Sequence, residues 1–373
     1  MKALFITPYT YQSRSLQTHI LNSDNLEIDL IINKKIIGQN HNVKYVIDYY
    51  KDKIKNFYQF CLPLDYVYLG KPDKLSFKIG AKIKKIFEFL DNRKINKIIQ
   101  EGNYDFIYLN SLILHSLISE DFCFIIHVRE IFDDSNNSVF DSLKKAKGVI
   151  FIDDATQKPF TELVIKNKIV LNNPFQMKRQ IDNELIKLPI NIDWKNKVIF
   201  SIIGRIERIK GVSQVIESFK EVKKDNILLL IVGTGEEDYS NYCRDLARND
   251  NRIIFYGNEE NIQIIYDICD YIIRGDPHQC IGRTIYEGLF SGCHVIIPGS
   301  NPEIVFEYEQ FRDKIHFYLP NDKQTLINQI TSHSNKKIMQ REYLSNVDKY
   351  RKKFNDFVTK VCQDKSRETY KND

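Results

Sequence analysis

The chain has 373 residues, 43% hydrophobic and 28% charged, with a formal net charge of +5. That composition is globular, and the length exceeds most single cores, so two domains are expected. It excludes fibrous and disordered classes, and no apolar run approaches the ~18 residues of a membrane-spanning helix.

Met1-Lys2 leads straight into an apolar strand at residues 3–7. The run is too short for a signal-peptide core and lacks a small-residue cleavage site, so a cytoplasmic location is expected. A second strand follows at residues 26–32. Between Lys71 and Lys97 stand nine Lys or Arg residues against Asp73, Glu88 and Asp91, with Leu75, Ile79, Ile83, Ile86, Phe87 and Leu90 at helical spacing. The segment reads as a basic amphipathic helix or helix pair. One reading is a solvated helix packing on its own domain; the other is a peripheral patch against an anionic membrane surface. Nucleic acid is not expected, since no nucleic-acid-binding signature accompanies the charge.

Strands at residues 106–109, 122–128 and 148–152, with a helix at 112–118, continue an alternation that predicts a parallel sheet covered on both faces. A short strand at 168–171 precedes the breaker Asn172-Asn173-Pro174. The polar stretch 175–195, which holds Pro189 and the single tryptophan, Trp194, reads as an interdomain connection. A second set of strands follows at 198–203, 227–232, 253–256, 270–273, 295–297 and 315–318, then charged helices to the end. The expected domains are 1–180, 181–345 and a helical segment 346–373. Seven cysteines without a C-x-x-C pair read as reduced core residues.

Chemistry concentrates after two strand ends of the second half. Gly204-Arg205-Ile206-Glu207-Arg208-Ile209-Lys210-Gly211 follows the strand at 198–203. It places cations at a carboxyl end, where ligands bind in open α/β sheets. Arg205 and Lys210 are candidates to clamp a diphosphate, Arg by its planar fork and Lys as a point charge. Later, Gly282 lets backbone approach a ligand, and Arg283-Thr284 open a helix whose free N–H groups attract anions. Glu287, one turn inside, is placed to accept sugar hydroxyls. For each cation taken alone, the alternative is a solvated loop residue. Gly233 and Gly235 read as turn residues with Glu237 a ligand contact; the missing third glycine and the Glu236-Glu237 pair exclude a dinucleotide fingerprint.

Gly204-Arg205, Lys210-Gly211, Val232-Gly233-Thr234-Gly235, Arg252 to Gly257, Asp270, Gly282, Glu287, Gly292 and Pro298 match, in order and spacing, the nucleotide-sugar half of GT-B glycosyltransferases. The chain most closely resembles glycosyltransferase family 4, glycosyl transferases group 1. The resemblance implies an α/β fold of GT-B architecture: two Rossmann-like domains facing across a cleft, with the last helix crossing back to the first. It implies a retaining transfer of a sugar, of hexosyl type, from a UDP- or GDP-linked donor to a hydroxyl of a growing glycan or lipid-linked saccharide. The acceptor is assigned to the first domain and the nucleotide sugar to the second.

By the same resemblance His127 and Gln279 face the transferred sugar, and His278, Cys280 and Ile281 join the donor loop. The family commonly has two glutamates in this loop; here Gln279 stands at the first position, an amide that hydrogen-bonds without supplying charge. Arg129 and Glu130 are acceptor-side candidates. The alternatives are a structural His127, and a Glu130 that pairs with Arg129 or caps a turn. Arg274 is open to an acidic ligand or to a local ion pair with Asp276. No D-x-D triplet occurs, so no metal or other cofactor is expected; Asp133-Asp134 and Asp153-Asp154 read more simply as caps. The loop after the first strand lacks the family's glycines. Two other readings stand beside the transferase: a nucleotide-sugar 2-epimerase of the same fold, and a catalytically weak subunit that binds a partner.

Overall fold

The apolar runs become two all-parallel sheets in a computed structural model of the chain. It describes residues 1–8, 20, 23, 25–34, 52–65, 77–132, 137–180, 188, 194–277, 282–299 and 306–369, with backbone alone at 77–84, 306–308 and 365–369. The chain divides into two units, 1–174 with 347–373, and 175–346.

In the first unit β1 (Lys2–Thr7), β2 (Glu27–Asn33), β3 (Ile54–Phe60), β4 (Phe106–Leu109), β5 (Phe124–Val128), β6 (Gly148–Phe151) and β7 (Lys168–Val170) lie in the order β3-β2-β1-β4-β5-β6-β7. Side chains alternate between faces: Leu4 and Ile6 enter one core, Ala3 and Phe5 the other. The helices are α1 (Phe77–Glu101), α2 (Asn137–Lys145) and a one-turn α3 (Asp154–Gln157). Residues 112–118 form a 3-10 helix, Leu112–Leu117, rather than an α-helix, capped by the Ser111 side chain. The edge strand β3 was not legible in Ile54-Lys55-Asn56-Phe57, because an edge needs a partner on one side only and tolerates polar residues.

The second unit holds β8 (Val198–Ile203), β9 (Ile227–Val232), β10 (Ile253–Gly257), β11 (Tyr271–Ile273), β12 (His294–Pro298) and β13 (Ile315–Tyr318) in the order β10-β9-β8-β11-β12-β13. That is the doubly wound Rossmann order, whose switch point falls between β8 and β11. Its helices are α4 (Val212–Glu221), α5 (Glu237–Ala247), α6 (Gln263–Ile268), α7 (Arg283–Phe290) and α8 (Lys323–His333). Val198, Phe200 and Ile202 pack on one face of β8, Ile199 and Ile203 on the other.

The last helix, α9 (Val347–Thr369), returns to the first unit. Tyr350, Phe354, Phe357, Val358 and Val361 repeat at helical spacing and are buried with β1, β4 and β5. Each such side chain contributes about 1.5–3 kcal/mol by its burial. The absence of a side chain at Gly148 lets Phe357 and Val361 approach β6. Among the described residues no helix is long and apolar enough to cross a membrane.

Candidate active site

In the second unit the carboxyl ends of β8, β9 and β11 meet. Gly204 ends β8, and Ile206 makes a bridge to Gly235 after β9. The turn Arg208–Lys210 stops on Gly211 in the left-handed region, at φ 59°. A Cβ at Gly211 would overlap the Gly275 carbonyl, so a glycine is required for the two loops to touch. Their contact brings Lys210 Nζ to 3.9 Å from Asp276 Oδ1. Arg205 is largely exposed, with Nε 3.1 Å from Glu207 Oε1. Gly233, likewise at positive φ, packs its backbone against Gly204.

Arg274 and Asp276 form the local ion pair, Nε–Oδ2 2.7 Å and Nη2–Oδ1 2.8 Å, at 5% and 2% exposure. Arg274 is therefore committed inside the protein instead of standing open to an acidic ligand. Its Nη1 lies against Gly282, where any Cβ would collide with it. So Gly204, Lys210, Gly233, Gly235 and Gly282, separated by up to 78 positions along the chain, come together through backbone contact and one buried guanidinium.

The helix α7 begins after extended Gly282 with no side-chain cap, which leaves its first N–H groups to other acceptors. The Arg283 side chain folds back along its own helix: Nε donates to Glu287 Oε1 at 2.8 Å, and the guanidinium lies over the Phe175 ring. Arg283 thus contributes backbone rather than its fork to the expected phosphate position. Glu287 is buried and also accepts from Tyr266 Oη at 2.7 Å. Thr284 Oγ1 is buried with no hydrogen-bond partner among the described residues. Glu237 is exposed in the first turn of α5, where a carboxylate complements the helix dipole. His278, Gln279, Cys280 and Ile281 lie outside the described residues.

In the first unit, the ends of β4 and β5 hold a second polar cluster. His127 is 0% exposed, so it touches no solvent-borne ligand in this arrangement. Its Nδ1 is 2.6 Å from Tyr108 Oη and 3.3 Å from Arg129 Nη2. Arg129 also donates from Nε to Asn110 Oδ1 at 2.8 Å and from Nη1 to Asn173 Oδ1 at 2.9 Å. Burial pushes the Tyr108 phenol up to about 12, the nearby Arg129 opposing it. Glu130 accepts from Ser111 Oγ and from the backbone N–H of Leu112 and Arg129. It anchors the start of the 3-10 helix, the turn-capping alternative. Asp153 caps α3 in a capping box, and Asp133-Asp134 lies outside the described residues.

Tyr108, Asn110, Asn173 and Tyr266 were not singled out by sequence. Tyr108 lies within the strand read at 106–109, and Asn173 within the chain breaker. The available signal was a polar atom inside each apolar run, since a buried hydroxyl or amide needs a partner. Among the described residues no group of three or more His, Cys, Asp or Glu side chains is arranged to hold a metal ion.

Two doubly wound sheets, glycine-built loops at the carboxyl ends of the second and a last helix returned to the first define a GT-B protein. The family described as glycosyl transferases group 1 matches residues 184–353, and the chain resembles that family. Glycogen synthase of Clostridium novyi (strain NT) is 26% identical over 169 residues, which are 43% of this chain and 34% of that protein. The chain thus spans about a third of the length of this curated relative.

Among solved structures, HepE of Anabaena in complex with UDP is 15% identical with a TM-score of 0.66, covering 100% of both chains. A glycosyltransferase from Rickettsia africae is 17% identical with a TM-score of 0.63, covering 100% of this chain and 98% of that one. Sucrose-phosphate synthase from Thermosynechococcus elongatus is 12% identical with a TM-score of 0.62, covering 100% and 99%. At these identities the likeness is one of fold.

Proposed function

We propose that the protein is a glycosyltransferase that moves a hexosyl group from a nucleoside-diphosphate donor to a hydroxyl of a growing glycan or lipid-linked saccharide, with retention. The observation that carries the reading is the junction of Gly211 with Gly275, which sets Lys210 beside Asp276, whose partner Arg274 lies against Gly282 at the start of α7. It is supported by the group 1 match over residues 184–353 and by like-folded proteins solved with UDP and UDP-glucose.

In this reading Arg205 and Lys210 neutralise the departing diphosphate, and the backbone of Gly282 to Thr284 donates to its oxygens. The acceptor oxygen bonds to the anomeric carbon from the face that the diphosphate leaves. The carbon–oxygen bond to the diphosphate breaks, and the acceptor proton passes to the diphosphate oxygen. The chain's work is positioning and charge stabilisation, which requires no strong general base and no metal. Glu287 takes ribose hydroxyls in addition to its bonds from Tyr266 and Arg283. Gln279 holds the transferred sugar.

The test is thermal stabilisation by UDP, GDP, CMP and their sugars, with and without magnesium. Ligand at 100 times its dissociation constant adds about 2.7 kcal/mol. A shift with one nucleoside diphosphate, unchanged by magnesium, is expected. No shift with any nucleotide overturns the reading, and a shift only with magnesium overturns its metal-independent part.

A further inference from the structure

We infer that the outward face of α1 (Phe77–Glu101), between Lys85 and Lys97, docks onto an anionic lipid surface. Of the ten exposed large hydrophobic side chains among the described residues, four fall within five positions of this helix. They are Ile86 at 62%, Phe87 at 47%, Phe89 at 59% and Leu90 at 48% exposure. Isolated exposed apolar side chains are ordinary, but a contiguous group marks an interaction surface.

Helix geometry sorts the charges onto the same face. Ile86, Leu90, Arg93 and Lys97 stand at i, i+4, i+7 and i+11, one row along the helix, and Lys94 flanks it. The opposite row is buried: Asp91, Ile95 and Ile99, with the half-buried Glu88 beside it. Ile95 and Ile99 enter the core of the first unit. The helix cannot roll to hide its apolar outer row, because Asp91 Oδ2 accepts the Cys61 backbone N–H at 2.9 Å. The outward face is thus apolar at its amino-terminal half and cationic at its carboxyl-terminal half, the pattern of a helix lying in a headgroup layer.

Charge decides between occupants. A second copy meeting this face through a two-fold axis would set the patch against itself and bring Arg93, Lys94 and Lys97 toward their own equivalents. An anionic headgroup layer pairs with those cations and accepts the four apolar side chains in its acyl boundary. The surface lies on the first unit alone, and its occupancy does not depend on the reaction proposed for the second.

The experiment is co-sedimentation of the full chain with vesicles of phosphatidylcholine alone and of phosphatidylcholine with phosphatidylglycerol. Binding to the mixed vesicles only, weakened by added salt, is expected. The Phe87→Ser/Leu90→Ser and Arg93→Gln/Lys97→Gln variants should each lower partitioning about tenfold. These side chains are exposed, so melting temperature and any nucleotide-induced shift should stay at the parent values, which separates lost docking from lost folding. Equal binding to both vesicles, binding to neither, or undiminished binding by the variants overturns the inference. So does a dimer in sedimentation velocity that the same substitutions dissociate.

Discussion

Tyr108 Oη lies 2.6 Å from His127 Nδ1 inside the first unit, a contact in which the phenol can donate or accept. Arg129 Nη2 also reaches the same Nδ1, and a guanidinium only donates. We therefore assign Nδ1 as an acceptor and the ring proton to Nε2.

The tautomer is directly measurable. Selective 15N labelling of histidine, with His127→Gln to assign the resonance, should show the Nε2–H form of a neutral ring. Tyr108→Phe removes one of the two contacts to Nδ1 and should lower stability in urea unfolding by about 0.5–1.5 kcal/mol, the worth of one ordinary hydrogen bond. An Nδ1–H resonance in the parent protein would overturn this assignment.

Arg205 and Lys210 should differ from each other as diphosphate ligands. Arg205 is held at the surface by Glu207, whereas Lys210 is half-buried and leans on Asp276 from a loop pinned by Gly211. Charge-assisted hydrogen bonds contribute about 1.5–3 kcal/mol each, so Lys210→Ala should weaken nucleoside-diphosphate binding about 10- to 100-fold in calorimetry. Arg205→Ala should cost the same or less, because an ordered, partly desolvated cation loses less to solvent screening than an exposed one. Unchanged affinity in both variants would remove this loop from the site.

The Arg274–Asp276 pair makes the clearest stability prediction. Both side chains are almost fully buried, and removing one partner leaves an uncompensated charge at a cost of about 3–5 kcal/mol. Asp276→Asn or Arg274→Gln should therefore lower the denaturation midpoint sharply, and the double variant should lose less than the sum of the two. Additive losses in the double-mutant cycle would show that the pair is not coupled. Gly282→Ala should also destabilise, since its methyl group meets the Arg274 guanidinium.

The two-sheet alternation and the strand ends with Gly204 and Gly282 were legible because each depends on local periodicity or on a glycine at a sharp turn, whereas the return of the last helix was implied by the family resemblance. What the sequence left open was where polar side chains spend their bonds. Glu130 and Arg274 each offered a ligand role and a structural one, and the structure gives each a partner 18 or fewer positions away, respectively Leu112 and Asp276. Tyr266 reaching Glu287 and Asn173 reaching Arg129 are tertiary pairings between elements with no shared periodicity. The edge strand β3 was missed for a different reason: a strand with one neighbour carries only half of the hydrophobic signal.

A histidine trio predicts how stability responds to acid. His294 on β12, His316 on β13 and His333 at the end of α8 stack around Tyr271, and His294 Nδ1 is 3.0 Å from His316 Nε2. His333 Nδ1 donates to the Gln329 carbonyl at 2.8 Å. Burial holds all three rings below the usual imidazole range, His294 at about 4 and His316 at about 3. Lys314, His333 and Lys336 add to the effect for His294, and His333, His294 and Lys336 for His316, with Asp313 opposing in both.

In the unfolded chain these rings protonate near their ordinary value of about 6.5. Between there and about 4 the unfolded state binds more protons than the folded one. Stability should therefore fall as pH falls across that window, by up to about 1.4 kcal/mol per pH unit for each ring. Urea unfolding at a series of pH values measures the slope, to which carboxylates also contribute. The His316→Gln variant isolates the trio: it should show a shallower slope than the parent over the window, by as much as one proton. An identical slope would mean that His316 titrates in the folded protein as it does in the unfolded chain, which burial against Tyr271 and His294 forbids.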